Sequence, residues 1–302
     1  MICFLNNSDI DRTEWDSCMD DADSSFLYAR SWFLDIMAPG WCALADYQYQ
    51  AVFPLPSRNK FGISYLFIPP FMQKSGLFFR EQSDRSKAAE MLGFIPRFYR
   101  YIDICLADDP GTDRNRLKER DNYILSLDSS YRMLSENYTS DCRRNIRVAG
   151  TGRPEIVSGI EPDEAISLFR AGPGKQIRGI SGTDYSRLKR LMESAIAEGK
   201  GEILGFRSNS TLLYSVFFLI TGERITLLFT STSDKSRTLK AGYVMTDHII
   251  RKYAGSGMIL DFAGSSLPGV AQFITSFGAT RTTYYRYLVN NLPWPLNVLK
   301  QA

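Results

Sequence analysis

The spacing of apolar and polar residues changes several times along the chain, and each change indicates a new element. Apolar residues recur every three or four positions where a helix is predicted, and every second position where a strand is predicted. The first half is predicted to hold two helices, an antiparallel meander, a short helix, a strand, a charged connection, a further strand and a long helix. These elements cover residues 9–23, 26–37, 41–45, 50–55, 64–68, 86–92, 101–106, 108–121, 123–127 and 129–149.

The second half repeats that order. Two helices precede a three-stranded meander, a polar loop, a helix, a buried strand, a short helix and a closing strand, over residues 161–170, 183–198, 202–206, 212–220, 224–231, 232–242, 243–253, 258–260, 268–276 and 281–288. We therefore expect a mixed α/β fold with two similar domains, at 1–151 and 152–285, and a tail at 286–302 that packs back on the first domain. A length of 302 residues agrees with two domains.

Composition narrows the class of protein. Hydrophobic residues make up 44% and charged residues 23%, as in ordinary folded proteins. Apolar runs are too short to span a bilayer, and no signal-peptide pattern opens the chain, so we expect a cytoplasmic protein. The single histidine excludes a multi-histidine metal site, and the five cysteines lack paired spacing, so no metal is expected. Residues 1–150 carry a net charge of −3 and residues 151–302 a net charge of +6, which makes the second half the better place for an anionic ligand.

The richest stretch lies at residues 258–278. A short apolar run predicts a buried strand that ends at Asp261, followed by a Gly264-Ser265-Ser266 turn. Pro268 then fits the first turn of a helix, and Gly278 fits its C-terminal cap. The strand end, the carboxylate and the helix start thus converge, as they do at one wall of many binding sites.

These residues also carry a family resemblance. Asp261-Phe262-Ala263-Gly264-Ser265, with Gly269–Phe273 and Ser276-Phe277-Gly278 after it, resembles a DFxG…gvxxFKxxFG stretch of Fem-type peptidyltransferases (FemA, FemB, FemX) and of BioF2-type acyltransferases. The resemblance implies two tandem GNAT units, each a mainly antiparallel sheet flanked by helices. Ile274 occupies the position of the motif lysine, which the family is thought to use to support a developing oxyanion.

The resemblance further implies a chemistry and a set of residues. Fem-type and GNAT proteins transfer an acyl or aminoacyl group to an amine, so we expect acyl-CoA or aminoacyl-tRNA as the donor. In that chemistry, Asp261 would orient or deprotonate the amine. Tyr284 or Tyr285 would stabilise the oxyanion or donate a proton. Alternatively, Asp261 only accepts N–H bonds from the turn that follows it.

Two segments are candidate phosphate sites. Gln73-Lys74-Ser75-Gly76 matches the first half of the GNAT phosphate loop, although a turn that needs a glycine explains the same letters. In the second half, Lys235, Arg237 and Lys240 precede a helix, where fixed charges and the helix dipole would act together on an anion, unless they are only solvated. We expect the reactive pocket in the second domain, where its central strands splay.

The leading hypothesis is therefore an N-acyltransferase that acts on a small-molecule or peptide amine. Because Ile274 stands in place of the motif lysine, a second hypothesis is a catalytically silent tandem-GNAT binding protein. Transfer RNA is a possible partner, whereas DNA and a membrane span are not expected.

Overall fold

The computed structural model describes residues 2–151, 155–177, 179–264 and 267–300 of the chain. Two compact units are present: unit 1 comprises Met1–Arg120 and Thr283–Ala302, and unit 2 comprises Asp121–Thr282. The predicted mixed α/β class, with mainly antiparallel sheets, is confirmed. The predicted boundary at 151–152 falls at the edge of residues 152–154, which lie outside the described part of the chain.

Unit 1 alternates short helices with two sheets. Its helices are α1 (Arg12–Asp23), α2 (Ser31–Met37), α3 (Ala88–Gly93) and α11 (Leu296–Leu299). Its strands are β1 (Ile2–Leu5), β2 (Cys42–Asp46), β3 (Ala51–Leu55), β4 (Ser57–Lys60), β5 (Ile63–Phe67), β6 (Phe78–Phe79), β7 (Tyr99–Leu106) and most of β14 (Thr280–Asn290).

One sheet has the order β1-β2-β3-β6 and the other contains β4-β5-β7-β14. Pro56 separates β3 from β4, and because proline lacks a backbone N–H it interrupts the ladder where the chain passes from one sheet to the other. Strand β5 runs parallel to β7, and β14 runs antiparallel to β7 from Tyr285 to Asn290. Leu66, Ile104 and Tyr287 belong to the unit 1 core on one face of this second sheet.

Unit 2 contains the longer helices and one sheet. Its helices are α4 (Tyr131–Glu136), α5 (Ser140–Thr151), α6 (Pro162–Ala171), α7 (Gly182–Ala197), α8 (Asp234–Thr238), α9 (Ala241–Tyr253) and α10 (Pro268–Thr275). Its strands follow the order β8-β13-β12-β11-β10-β9. They are β8 (Leu117–Ser126, from residue 121 on), β9 (Glu155–Ser158), β10 (Gly201–Ser208), β11 (Thr211–Thr221), β12 (Arg224–Thr232) and β13 (Ile259–Asp261).

The division between the units lies earlier than the sequence suggests because of where α4 and α5 bury their side chains. Leu134, Tyr138 and Cys142 lie in the same core as Leu260 and Phe277. Residues before 151 therefore pack with unit 2, and the boundary falls after Arg120 and not near Gly152. The other boundary, before Thr283, lies close to the predicted residue 285.

Several element predictions were wrong in local detail. The single helix predicted at 129–149 is two helices, because the chain breaks at Asn137–Thr139 and Tyr138 inserts into the core. The polar loop predicted at 232–242 contains the short helix α8, which Ser233 caps by accepting the Ser236 N–H. The sequence leaves residues 56–63 between two predicted strands, whereas the structure has the strand β4 there and a hairpin turn at Phe61-Gly62, where both residues have positive φ.

Ile274, which stands where the Fem-type motif has a lysine, is part of the unit 2 core. Ile274 is 3% exposed and packs in the unit 2 core, whereas its neighbour Thr275 is exposed. A charged amine at Ile274 would be buried among apolar side chains, which is costly without a partner. The packing around this position therefore favours an aliphatic side chain over a lysine.

We expect Ile274→Lys to destabilise unit 2 by about 3 kcal/mol or more, since it removes a buried aliphatic chain and buries a charge. Thr275→Lys, one residue further along the same helix, should change stability by no more than about 0.5 kcal/mol. Urea unfolding followed by circular dichroism measures both. Equal stability of the two variants would contradict the packing described for α10.

Candidate functional site

The carboxylate of Asp261 lies at the end of β13 and is almost completely buried, with 1% of the residue exposed. Its Oδ1 accepts hydrogen bonds from Asn122 Nδ2 at 3.0 Å and from the Ala263 N–H at 2.9 Å. Its Oδ2 accepts a hydrogen bond from Arg224 Nη1 at 2.9 Å, within an ion pair. The charge of Asp261 is therefore balanced by a guanidinium that is itself still partly exposed to solvent.

These bonds join three segments at one point. Asn122 lies on β8, Arg224 on β12, and Ala263 in the turn after β13. The turn forms because Ala263 and Gly264 both take positive φ, +54° and +64°. From this turn the N–H of Ala263 donates to Asp261. Of the predicted Gly264–Ser266 turn, Ser265 and Ser266 lie outside the described residues.

The strands diverge directly beyond this cluster. Strand β12 pairs in parallel with β13 only from Arg224 to Thr226, whose partner is Asp261. Strand β12 then continues to Thr232 beside β11, and among the described residues no further strand pairs with it on its β13 side. At its far end Gly172 packs against the Thr232 carbonyl. A bulge adds Leu228, because Phe217 faces Phe229 whereas Phe218 faces Leu227. An extra residue of this kind increases local twist and re-aims the backbone.

The three predicted cations follow β12. Lys235 and Arg237 lie on α8 and are exposed, and Arg237 Nη1 pairs with Asp234 Oδ1 at 3.3 Å. Lys240 has φ +58° and precedes the first residue of α9. The left-handed residue turns the chain sharply into α9, so Lys240 stands at the positive end of a helix with 13 residues. Lys235 and Lys240 form no ion pair with any described residue.

A phenol and several rings surround the start of α9. Gly242 lies near two rings: a Cβ added to it would lie 3.7 Å from the Tyr214 ring and 3.5 Å from the Phe273 ring. Tyr243 packs against Phe273 with ring centroids 4.9 Å apart. Burial raises the pKa of Tyr214 to about 12, a shift that its hydrogen bond with Thr230 opposes. The sequence analysis missed Tyr214, because only tertiary structure brings β11 to the start of α9.

The predicted catalytic tyrosines belong to unit 1, whereas Asp261 belongs to unit 2. Tyr285 pairs with Leu106 of β7, and Tyr287, two residues on, is buried in the unit 1 core. Since side chains alternate along a strand, Tyr285 lies on the core side of the sheet and Tyr284 on the opposite side. Both tyrosines are half-buried.

The first-domain phosphate segment also lies in unit 1. Within Gln73-Lys74-Ser75-Gly76, the Ser75 N–H donates to the Cys105 carbonyl at 2.6 Å, and the Ser75 carbonyl accepts the Ala107 N–H at 2.9 Å. A Cβ on Gly76 would lie 2.7 Å from the Phe78 ring. The segment therefore runs along β7, where Gly76 accommodates a ring, and the Ser75 N–H is already used within the fold.

A second buried carboxylate was not predicted. Asp247 Oδ1 on α9 accepts hydrogen bonds from the Tyr131 hydroxyl at 2.8 Å and the Tyr138 hydroxyl at 3.1 Å. Arg251 Nη2 donates to the Tyr131 hydroxyl at 2.9 Å. Burial, and then the Asp247 charge, raises the pKa of Tyr138 far above its usual value. This network fixes α4 and the connection between α4 and α5 to α9.

Two shallow grooves on unit 2 flank that network. One, of about 460 Å³, is lined by Tyr131, Ser135, Glu136, Tyr138, Arg143, Ile146 and Arg147. The other, of about 410 Å³, is lined by Ile156, Val157, Ser158, Glu202, Leu204, His248, Arg251 and Lys252. None of the predicted site residues is among the residues that line these two grooves. The described part of the chain contains no cluster of three or more side chains placed to bind a metal.

Comparisons with known proteins give no match to a family model and no match among curated proteins. Solved structures do match. The crystal structure of FemX is 13% identical and superposes with a TM-score of 0.64, covering 97% of this chain and 99% of that chain. L-PGS from Bacillus licheniformis is 11% identical, with a TM-score of 0.54 and coverage of 96% and 95%.

A tandem GNAT protein from the clavulanic acid biosynthesis pathway is 13% identical, with a TM-score of 0.53 and coverage of 97% of this chain and 99% of that chain. At these identities the likeness concerns the fold, and it extends over nearly the whole length of each protein. The predicted resemblance is confirmed at that level, and the chain has the Fem-like tandem GNAT fold.

Proposed function

We propose that the chain is a cytoplasmic N-acyltransferase. It moves an acyl or aminoacyl group from an acyl-CoA or aminoacyl-tRNA donor to a small-molecule or peptide amine. The observation that supports the proposal is the open edge of β12 beyond its last pair, Thr226 with Asp261, in a fold shared with a tandem GNAT protein. An unpaired strand edge offers N–H and C=O groups at fixed spacing to an extended donor arm.

The reaction needs an oriented amine and support for negative charge. The amine lone pair attacks the carbonyl carbon, and the C–O double bond opens to an oxyanion. The oxyanion then collapses, the C–S or C–O bond to the donor breaks, and the amine proton passes to a base or to water. Backbone N–H groups on the β12 edge are oriented before reaction, so they stabilise the oxyanion without reorganising.

The anionic part of the donor has a place beside this edge. Lys235 and Lys240 carry charges that no described carboxylate neutralises, and Lys240 adjoins the N-terminus of α9. A diphosphate of CoA or the terminal phosphates of a tRNA would be attracted by both charges and by the helix dipole. Arg237 contributes less, because Asp234 competes for its guanidinium.

We assign Asp261 a positioning role. Its carboxylate already accepts bonds from Asn122, Arg224 and Ala263, so it fixes the point from which β12 and β13 diverge. Tyr214 is the candidate proton donor to the leaving thiolate or alkoxide because its ring lies beside Gly242 at the start of α9, on the strand that pairs with β12. Tyr284 and Tyr285 of unit 1 stay predicted catalytic residues, and Gln73, Lys74 and Gly76 stay predicted donor contacts.

A second candidate function is a binding protein that retains the donor site but does not catalyse transfer. The observation that favours it is Ile274, whose buried position holds an aliphatic side chain where the Fem-type motif has a lysine. The two functions share donor binding and differ in turnover, so calorimetry combined with product analysis separates them.

Charge reversal at Lys235 and Lys240 tests the donor site. The double variant Lys235→Glu, Lys240→Glu should weaken binding of acetyl-CoA or of aminoacyl-tRNA by about tenfold or more, because two charge-assisted contacts become repulsive. Arg237→Glu should have a smaller effect. For tRNA alone, the logarithm of affinity should also fall linearly with that of salt concentration. Isothermal titration calorimetry measures each affinity.

The control is Lys118→Glu, an exposed lysine on β8, compared with each single variant, Lys235→Glu and Lys240→Glu, because all three change the net charge by the same amount. It should leave affinity unchanged. If both double and control variants bind each donor as the unmodified chain does, Lys235 and Lys240 do not form the donor site. Binding of a donor without product from any amine supplied would favour the silent binding protein.

Replacing Asp261 separates positioning from proton transfer. Asp261→Asn preserves size but removes the charge opposite Arg224, so the melting temperature should fall, and kcat should fall by about tenfold with an unchanged pH profile. Breaking a buried ion pair commonly costs about 3–5 kcal/mol. A loss of about a thousandfold in kcat with unchanged stability and an altered pH profile would instead identify Asp261 as the general base.

A further inference from the structure

One end of the second sheet of unit 1 brings together three segments that share an unusual composition. The β4–β5 hairpin turns at Phe61-Gly62. The start of β7 lies beside the start of β5, because Ser64 pairs with Tyr99. The end of β14 lies beside the start of β7, because Asn290 pairs with Tyr101. The turn at residues 60–62, the segment 94–100 and the segment 291–298 therefore lie at the same end, and residues 57–59 of β4 lead away from it.

Each segment presents large apolar side chains to solvent. Phe61 is 92% exposed, Phe98 is 52% exposed and Trp294 is 81% exposed. Phe94, Leu296 and Val298 are further exposed apolar residues in the same segments. Isolated exposed apolar residues are common on protein surfaces, but a group at one end of a sheet indicates a surface that contacts something.

Charge in the same segments has a single sign. They and the adjoining Lys300 hold no aspartate or glutamate, and the cations at this end are Lys60, Arg97, Arg100 and Lys300. The guanidinium of Arg58 lies over the Phe67 ring, towards the other end of β5. Lys60, Arg97 and Arg100 are exposed and form no ion pair with any described residue. Apolar side chains interleaved with unpaired cations complement a surface that is negative outside and apolar beneath.

The hairpin holds its ring outward at a conformational cost. Phe61 has φ +54° and Gly62 has φ +78°, so this two-residue turn needs positive φ at both positions. Asparagine suits the first position far better than phenylalanine does. The Asn59 side chain secures the turn by accepting the Gly62 N–H at 3.1 Å. A strained position that carries a fully exposed ring suggests a role for the ring itself.

We propose that this end of unit 1, formed by residues 60–62, 94–100 and 291–298 together with Lys300, docks on the surface of an anionic lipid bilayer. Phe61, Phe98 and Trp294 enter the interfacial region, and the cations contact lipid phosphates. The proposal goes beyond the transferase activity and does not depend on it. No helix in the described ranges is long and apolar enough to cross a membrane, so contact here is peripheral.

A bilayer fits these observations better than a nucleic acid or a protein does. Leu296 and Val298 cannot stack on bases, and single-stranded nucleic acid is bound by rings lined along a groove. The exposed rings project from separate turns, whereas protein interfaces have a packed core with few unpaired charges. An interfacial surface needs only protruding rings and cations at a common level.

The test uses the full chain and vesicles of phosphatidylcholine with or without about one-third phosphatidylglycerol. We expect co-sedimentation with the anionic vesicles only. The fluorescence of Trp294 should shift to the blue on binding. Trp15 and Trp41 are already buried and Trp32 is half-buried, so the shift is measured in a Trp32→Phe background. Phe61→Asn and Trp294→Ser should each weaken binding by about tenfold, the order expected for burying one large apolar side chain. Lys60→Glu should weaken it by about fivefold.

Phe61→Asn favours the native turn, so a loss of binding in this variant cannot come from misfolding. Tyr47→Asn is the matched control, because Tyr47 is 88% exposed but lies outside the three segments, next to Asp46. It should bind as the unmodified chain does. Equal binding to both vesicle types, no binding to either, or Trp294-dependent dimerisation or RNA binding instead would overturn the proposal.

Discussion

The buried carboxylate of Asp261 is the constraint on which the centre of unit 2 depends. A charge with 1% of its residue exposed is stable only when paired, and Arg224, Asn122 and the Ala263 N–H provide the pairing. Each partner comes from a different segment, so satisfying one carboxylate fixes β8, β12 and the turn after β13 together. The point where β12 and β13 diverge is therefore set by electrostatics as well as by sheet packing.

The divergence of β12 from β13 leaves backbone groups of β12 without a strand partner among the described residues, and the proposed function depends on these groups. A sheet normally satisfies its backbone groups by pairing, and β12 loses its β13 partner after Thr226 while it continues to Thr232. The bulge at Leu228 lies within this open part of the strand. Helix α9 begins shortly afterwards, behind Lys240. Backbone donors, a helix N-terminus and two unpaired lysines thus follow each other along a single segment of chain.

Local patterns predicted the elements of this region but not the contacts between them. The strand that ends at Asp261 and the helix that begins at Pro268 follow from a short apolar run and from the restricted φ of proline. Arg224 and Asn122 are 37 and 139 residues from Asp261 in sequence, so no periodicity connects them. The break at Asn137–Thr139 escaped prediction for the same reason, because Tyr138 turns inward to reach Asp247.

The family resemblance supplied the fold, which the solved structures share, and the class of reaction and its residues are our proposal. The most direct measurement is a crystal structure of the chain with a non-hydrolysable acyl-CoA or an aminoacylated tRNA-end analogue. We predict the donor carbonyl on the β12 edge between Leu227 and Thr232, with the donor phosphates beside Lys235 and Lys240. A donor bound elsewhere, with the β12 edge unoccupied, would contradict the assignment of this site.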